Sequence, residues 1–155
     1  MNDEFYMRKA IAVAKRGVDK GQTPFGAVIV KNDKVIVAAH NVVWKTKDIT
    51  AHAEITAIRV ACKKLKTVDL SGCAIYSTTE PCPMCFSAIH WARVDKIVYG
   101  ASIADAANAG FNELSISNFE MKKRGKSRVV IKVGVLKREN RGLFEYWKQK
   151  GGKAY

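Results

Sequence analysis

The sequence predicts an α/β layer fold, and three observations carry that prediction. Short apolar runs alternate with stretches of helical periodicity along most of the chain. Two of the runs are joined by Asn32-Asp33, a hairpin turn. The 155 residues, 48% of them hydrophobic, suffice for one domain with a real core, and neither a repeat nor a linker composition divides them.

The elements follow in order. Residues 3–20 read as an amphipathic helix, with Asn2 or Asp3 as cap, Met7, Ala10, Ile11, Ala14 and Val18 on one stripe, and Gly21 at its end. Ala27–Lys31 and Val35–His40 are the paired strands. Asn41 stands at the strand end, before a loop over Val42–Ile49, where α/β proteins place site residues. Ala51–Leu65 is a second helix, with Ile55, Ile58, Val60, Ala61 and Leu65 expected on its buried side. Ala74–Ser77 is a third strand, Pro83–Trp91 a helix, and Lys96–Tyr99 a fourth strand. Ala104–Gly110 suits a short helix and residues 122–128 a charged loop. Arg128–Leu136 alternates as a fifth strand, and Arg141–Lys150 closes the chain as a helix anchored by Phe144 and Trp147.

Chemistry concentrates between Thr50 and Cys85. His52-Ala53-Glu54 is an H-x-E and Pro81-Cys82-Pro83-Met84-Cys85 a P-C-x-x-C, together the signature of zinc-dependent base deaminases. One imidazole and two thiolates suit Zn²⁺, and three protein ligands leave the fourth tetrahedral position open, as catalysis requires. Cys82 and Cys85 share a helix face. His52 and Glu54 would diverge on a helix side, so two helix N-termini are expected to converge on the metal, with Glu54 reaching the water without being a ligand. A structural zinc would need a fourth ligand, for which Cys73, His40 and His90 are the candidates.

Composition bounds the rest. No apolar run reaches the ~18 residues of a membrane span. Four cysteines, two of them ligands, and an acidic start without a signal pattern point to a reducing, cytoplasmic setting. The net charge of +13 is uneven: residues 121–155 carry twelve Lys/Arg against two Glu. That is a nucleic-acid footprint or a solvated face; without a basic aromatic groove the second is preferred.

The chain resembles the cytidine-deaminase-like superfamily, and within it the small bacterial guanine deaminases, with plant guanosine deaminase a close relative. The matching residues are Pro24 to Val30, His40-Asn41, Ala51-His52-Ala53-Glu54, Glu80 to Cys85, Trp91-Ala92-Arg93, Ala109-Gly110-Phe111 and the terminal Tyr155. The resemblance implies a three-layer α/β/α sandwich with a five-stranded mixed sheet, formed by residues 1–155 as one domain. It also implies a homodimer in which the segment from about 137 to 155 is exchanged, and one Zn²⁺ per chain. Glu54 and Glu113 would be catalytic, Glu113 standing where the family usually has aspartate. Phe25, Asn41, Ala53, Trp91 and Tyr155 would bind a small purine. The reaction implied is guanine to xanthine plus ammonia, the alternatives being guanosine deamination and adenosine-to-inosine editing of tRNA. The tRNA enzymes carry a Lys/Gly-rich segment that residues 102–113 do not resemble.

Overall fold

Strand β3 (Cys73–Thr79) is buried along its whole length, because it is the middle strand of the sheet. The computed structural model describes residues 2–155. The sheet order is β2-β1-β3-β4-β5, with β1 (Gly26–Lys31) antiparallel to β2 (Lys34–His40) and to β3. Strands β3, β4 (Lys96–Ala101) and β5 (Val130–Lys132) run parallel. Asn32 and Asp33 both have positive φ, 49° and 57°, the backbone of the tight hairpin expected there.

Alternation decides the layers. Val28, Val30, Ala74, Tyr76 and Val98 face helix α1 (Asp3–Asp19) and pack with its Tyr6, Met7 and Ala10. Ala27, Ile29, Ile75, Ile97 and Tyr99 face the other way, into a core shared with α3 (Ala53–Leu65) and α4 (Pro83–Trp91). Helix α7 (Lys137–Gln149) lies beside α1 and over β4, with Phe144 and Trp147 buried as expected. The result is the expected α/β/α sandwich. Asn2 caps α1 through Phe5 N–H at 3.0 Å, and a Cβ at Gly26 would sit 2.3 Å from Ala10 O, so only glycine lets α1 approach β1 there. No helix among the described residues is long and apolar enough to cross a membrane.

Four elements differ from the sequence reading. The Val42–Ile49 loop contains a helical turn, α2 (Val43–Thr46). In α3 the buried stripe is Ala53, Ala57 and Ala61, while Ile55, Ile58, Val60 and Leu65 sit half-buried on its flanks, because small residues let the helix lie close to the sheet. Residues 122–128 are mostly helical: α6 (Asn118–Gly125) starts at Ser117, whose Oγ accepts from Glu120 N–H, and Arg124 pairs with Glu120 at 2.9 Å. Among its residues α6 buries Asn118 alone, so no apolar stripe announced it. The fifth strand pairs only over Val130–Lys132; Gly134 at φ 76° turns the chain before α7. The short helix α5 (Ile103–Asn108) is present, with a Ser102–Asp105 capping box.

Candidate active site

His52 and Cys82 hold the same position in two different helices. Each precedes the first helical residue with extended backbone, φ −63°, ψ 161° before α3 and φ −64°, ψ 167° before α4. Neither side chain caps its own helix. Both turn to the space between the two N-termini, as side chains that lean toward the helix start should. Cys85, one turn into α4, shares the face of Cys82, and Pro83 occupies the first helical position, where a missing N–H costs nothing.

His52 Nδ1 lies 3.6 Å from Cys82 Sγ and 3.6 Å from Cys85 Sγ. Bonds of zinc to nitrogen and sulfur, set at the tetrahedral angle, separate N from S by about 3.6 Å. The three side chains therefore fit zinc as they stand. Among the described residues no other group meets this condition. Of the alternative fourth ligands, Cys73 is buried at the start of β3, His40 faces the Asn41 carbonyl at 2.8 Å, and His90 is exposed. The protein supplies three ligands and leaves one position for another molecule.

Glu54 stands next to this group, 3.5 Å from Cys85 Sγ and only 6% exposed. Its Oε1 is 2.7 Å from the Ser77 hydroxyl, which is also 2.7 Å from Thr79 O. A hydroxyl has one proton, so Ser77 donates to an ionised Glu54, or to Thr79 O while accepting from a protonated one. Ser77 escaped the sequence reading, although the carboxyl ends of parallel strands are where such folds build sites.

The cluster repels added negative charge. Its hydrogen bond with Cys85 holds the Cys82 thiol down at about 4 against the effect of burial, with His52 assisting. Cys85 is pushed well up by its thiolate neighbour and by burial. Burial would lower His52, but Cys82 and Glu54 turn the net shift upward. Burial and then the Cys82 charge raise Glu54, and the same two causes lift Glu113 to about 7. A divalent cation at the three ligands would reverse this, favouring both thiolates and ionised carboxylates.

A cavity of about 340 Å³ opens over the ligands. Phe25, Asn41, Glu54, Phe111, Asn112, Glu113 and Tyr155 line it, as do Ile49, Met84 and Leu114. The Phe25 ring meets Phe111 edge-on at 4.9 Å and Phe144 at 6.0 Å. Fully buried Asn41 accepts from Val43 N–H at 3.0 Å and donates to the Tyr155 hydroxyl at 2.6 Å. The tail is tied down by the Trp44 indole, which donates to Lys153 O at 2.9 Å, and the Tyr155 ring lies 5.8 Å from that of His52. A Cβ at Gly152 would collide with the Trp147 indole at 2.1 Å, so the close turn that returns the tail needs glycine.

Two expected substrate contacts are corrected. Trp91 is 83% exposed and lies outside the cavity, because it ends α4 while the ligands begin it, about 12 Å away along the axis. The Ala53 methyl is buried in the core under α3 and lines nothing; what it can offer is the first N–H of that helix.

A family model for the cytidine and deoxycytidylate deaminase zinc-binding region matches residues 1–101, which include all three ligands and Glu54. The chain belongs to that family. As a member of it, this is a zinc-dependent deaminase with His52, Cys82 and Cys85 positioned to bind the metal ion. It is 42% identical to the guanine deaminase of Bacillus subtilis over 96% of this chain and 95% of that one. The solved structure of that enzyme superposes over only 71% of each chain, with a TM-score of 0.69. The tRNA-specific adenosine deaminase of Bacillus subtilis is 39% identical over 91% of this chain and 85% of its own length. A guanine deaminase from Nitrosomonas europaea superposes at TM-score 0.85, covering 94% of this chain and 84% of its own, with 29% identity.

Proposed function

We propose that this deaminase converts free guanine to xanthine and ammonia. The observation that carries the reading is the cavity: about 340 Å³, aromatic-walled, and bordered by Tyr155 and the Glu113 carboxyl group. That volume is at the small end for ligand sites, suited to a base without its sugar. Residues 1–155 act as one catalytic domain in this reading.

When bound, zinc supplies Lewis-acid activation of a water at neutral pH. Glu54, held by Ser77, takes one proton from the water and delivers it to N3 of the base, then carries the remaining hydroxyl proton to the departing amine. The water oxygen bonds to C2 and the C2–N bond breaks, so guanine and water become xanthine and ammonia. Asn41 has one amide hydrogen on Tyr155 and the second free for a purine edge. Glu113, beside the cavity, pairs with the far edge and assists the proton transfers. Phe25 and Phe111 form an apolar wall, and Tyr155 closes the mouth against water. The likeness to a guanine deaminase over nearly both full lengths supports this reading.

A homodimer that exchanges its tails belongs to the same proposal. In the chain described here the tail reaches its own Asn41, and an exchange would form the same contact between two copies. Ammonia release from guanine, guanosine, adenine, adenosine, cytosine, cytidine and tRNA tests the substrate. Guanine should be fastest; inosine formed in tRNA at a comparable rate would replace this reading with the editing one.

A further inference from the structure

Glu80 lies two residues before the first cysteine ligand and is 7% exposed. Each of its two carboxylate oxygens accepts from a backbone N–H, the Tyr99 side chain hydrogen-bonds to the same carboxylate, and the residue borders the cavity. Oε2 accepts from Ile103 N–H at 3.0 Å and Oε1 from Asn118 N–H at 2.9 Å. Ile103 is the first residue of α5 and Asn118 the first of α6. A helix-initial N–H has no partner within its own helix, so one buried carboxylate satisfies two helix starts. The chain leaves this carboxylate at Ile103 and returns to it at Asn118. A second tie closes the return: the Asn118 side chain donates to Pro81 O at 2.6 Å.

Between the pins the stretch is held by α5, by the Asp105–Arg141 ion pair and by the Phe111 ring against Phe25, Phe144 and Trp147, and beyond Phe111 it has little. Residues 109–117 form no helix or strand. Phe111 is buried, but Leu114 is 66% exposed and Ile116 38%. This stretch nevertheless delivers Phe111, Asn112, Glu113 and Leu114 to the cavity. Pinning both ends removes most of the freedom a flexible excursion would keep.

We propose that Glu80 is a positioning residue that sets the Glu113 segment against the metal motif, so that substrate-reading and metal-binding groups share one frame. It rests on the reading of Glu113 as a site residue. The claim is distinct from a role in metal binding, since Glu80 is not among the ligand group.

Two measurements test it. In the wild-type protein, hydrogen exchange at the Ile103 and Asn118 amides should be slow, although both begin helices. Fast exchange at both overturns the clamp, whatever becomes of Glu113. The second is a double-mutant cycle on kcat/KM for guanine. Glu80→Gln keeps one oxygen acceptor and turns an NH₂ toward the other N–H. It should retain zinc and cost about tenfold to a hundredfold, the penalty of a displaced active-site group. Glu113→Gln should also cost activity, and adding Glu80→Gln to it should cost almost nothing more. Full additivity would show that Glu80 acts elsewhere and overturn the proposal. An inert Glu113→Gln would instead remove Glu113 from the site, leaving the exchange measurement to judge the clamp.

Discussion

The two halves of this active site are built by different means. The metal half rests on short spacings: His52 with Glu54, and Cys82 with Cys85, each pair at the start of a helix docked on the sheet. The substrate half rests on long ones. Asn41 meets Tyr155 across 114 positions, and the Glu113 segment is held by a glutamate 38 residues from Asn118. Helix ends determine where a ligand atom sits to within tenths of an ångström. A tail and an irregular segment must be tied from outside, and each tie is one or two hydrogen bonds. The metal half should therefore fail in an all-or-none way and the substrate half by degrees.

The largest effects belong to the metal half. Cys82→Ala should bring zinc well below one per chain and activity to background, as metal analysis beside an ammonia assay will show. Glu54→Gln should keep its zinc and lose about 10³-fold in kcat, the contribution of a positioned acid–base group. Near-normal turnover of a zinc-replete Glu54→Gln protein would remove Glu54 from the chemistry and erase the contrast.

The tail should give an intermediate effect. Removing Ala154 and Tyr155 should lower kcat/KM by about a hundredfold while fold and zinc persist, because the mouth of the cavity is then open and Asn41 loses its partner. Tyr155→Phe keeps the ring and loses one hydrogen bond, so about fivefold to tenfold is expected. Full activity of the truncated chain would end the role of the tail. Mixing truncated chains with Glu54→Gln chains sharpens the question of exchange. With exchanged tails one site of the heterodimer has both an intact Glu54 and an intact Tyr155, and activity returns. Without exchange every site keeps one defect.

The smallest effect on catalysis should come from Asp3, remote from both halves. Asp3 receives Tyr76 O–H at 2.7 Å, Lys132 at 2.6 Å and Lys96 at 3.2 Å. Burial would raise its pKa, but these donors outweigh burial and lower it to about 2. A folded pKa below the unfolded one stabilises the protein above pH ~4. The stabilisation, about 2 kcal/mol after allowance for the half-exposed Lys132, then fades as the pH falls toward 2. Asp3→Asn should lower stability by that amount at pH 7, converge with the parent near pH 2, and leave kcat/KM unchanged. A change in kcat/KM would mean that the scaffold's α1 face is not independent of the site.

What the sequence by itself determined is the metal half and the layer order. Ligand type and spacing within one helical turn are local properties, and the alternation of strands and helices carries through to the sheet. The hairpin, α1, α4 and the anchors of α7 were legible for the same reason. Only the tertiary structure decided the rest. Helix α6 hid in a charged stretch because what it buries is one asparagine rather than an apolar stripe. Trp91 matched a pattern beside the motif, yet the length of α4 carries it away from the ligands into solvent. Ala53 was spent on packing α3 against the sheet. Ser77 and Glu80 carry no distinctive signature of their own. Their roles come from β3 ending beside α3 and from two helix starts meeting one carboxylate, contacts between residues 23 to 38 positions apart that no local pattern encodes.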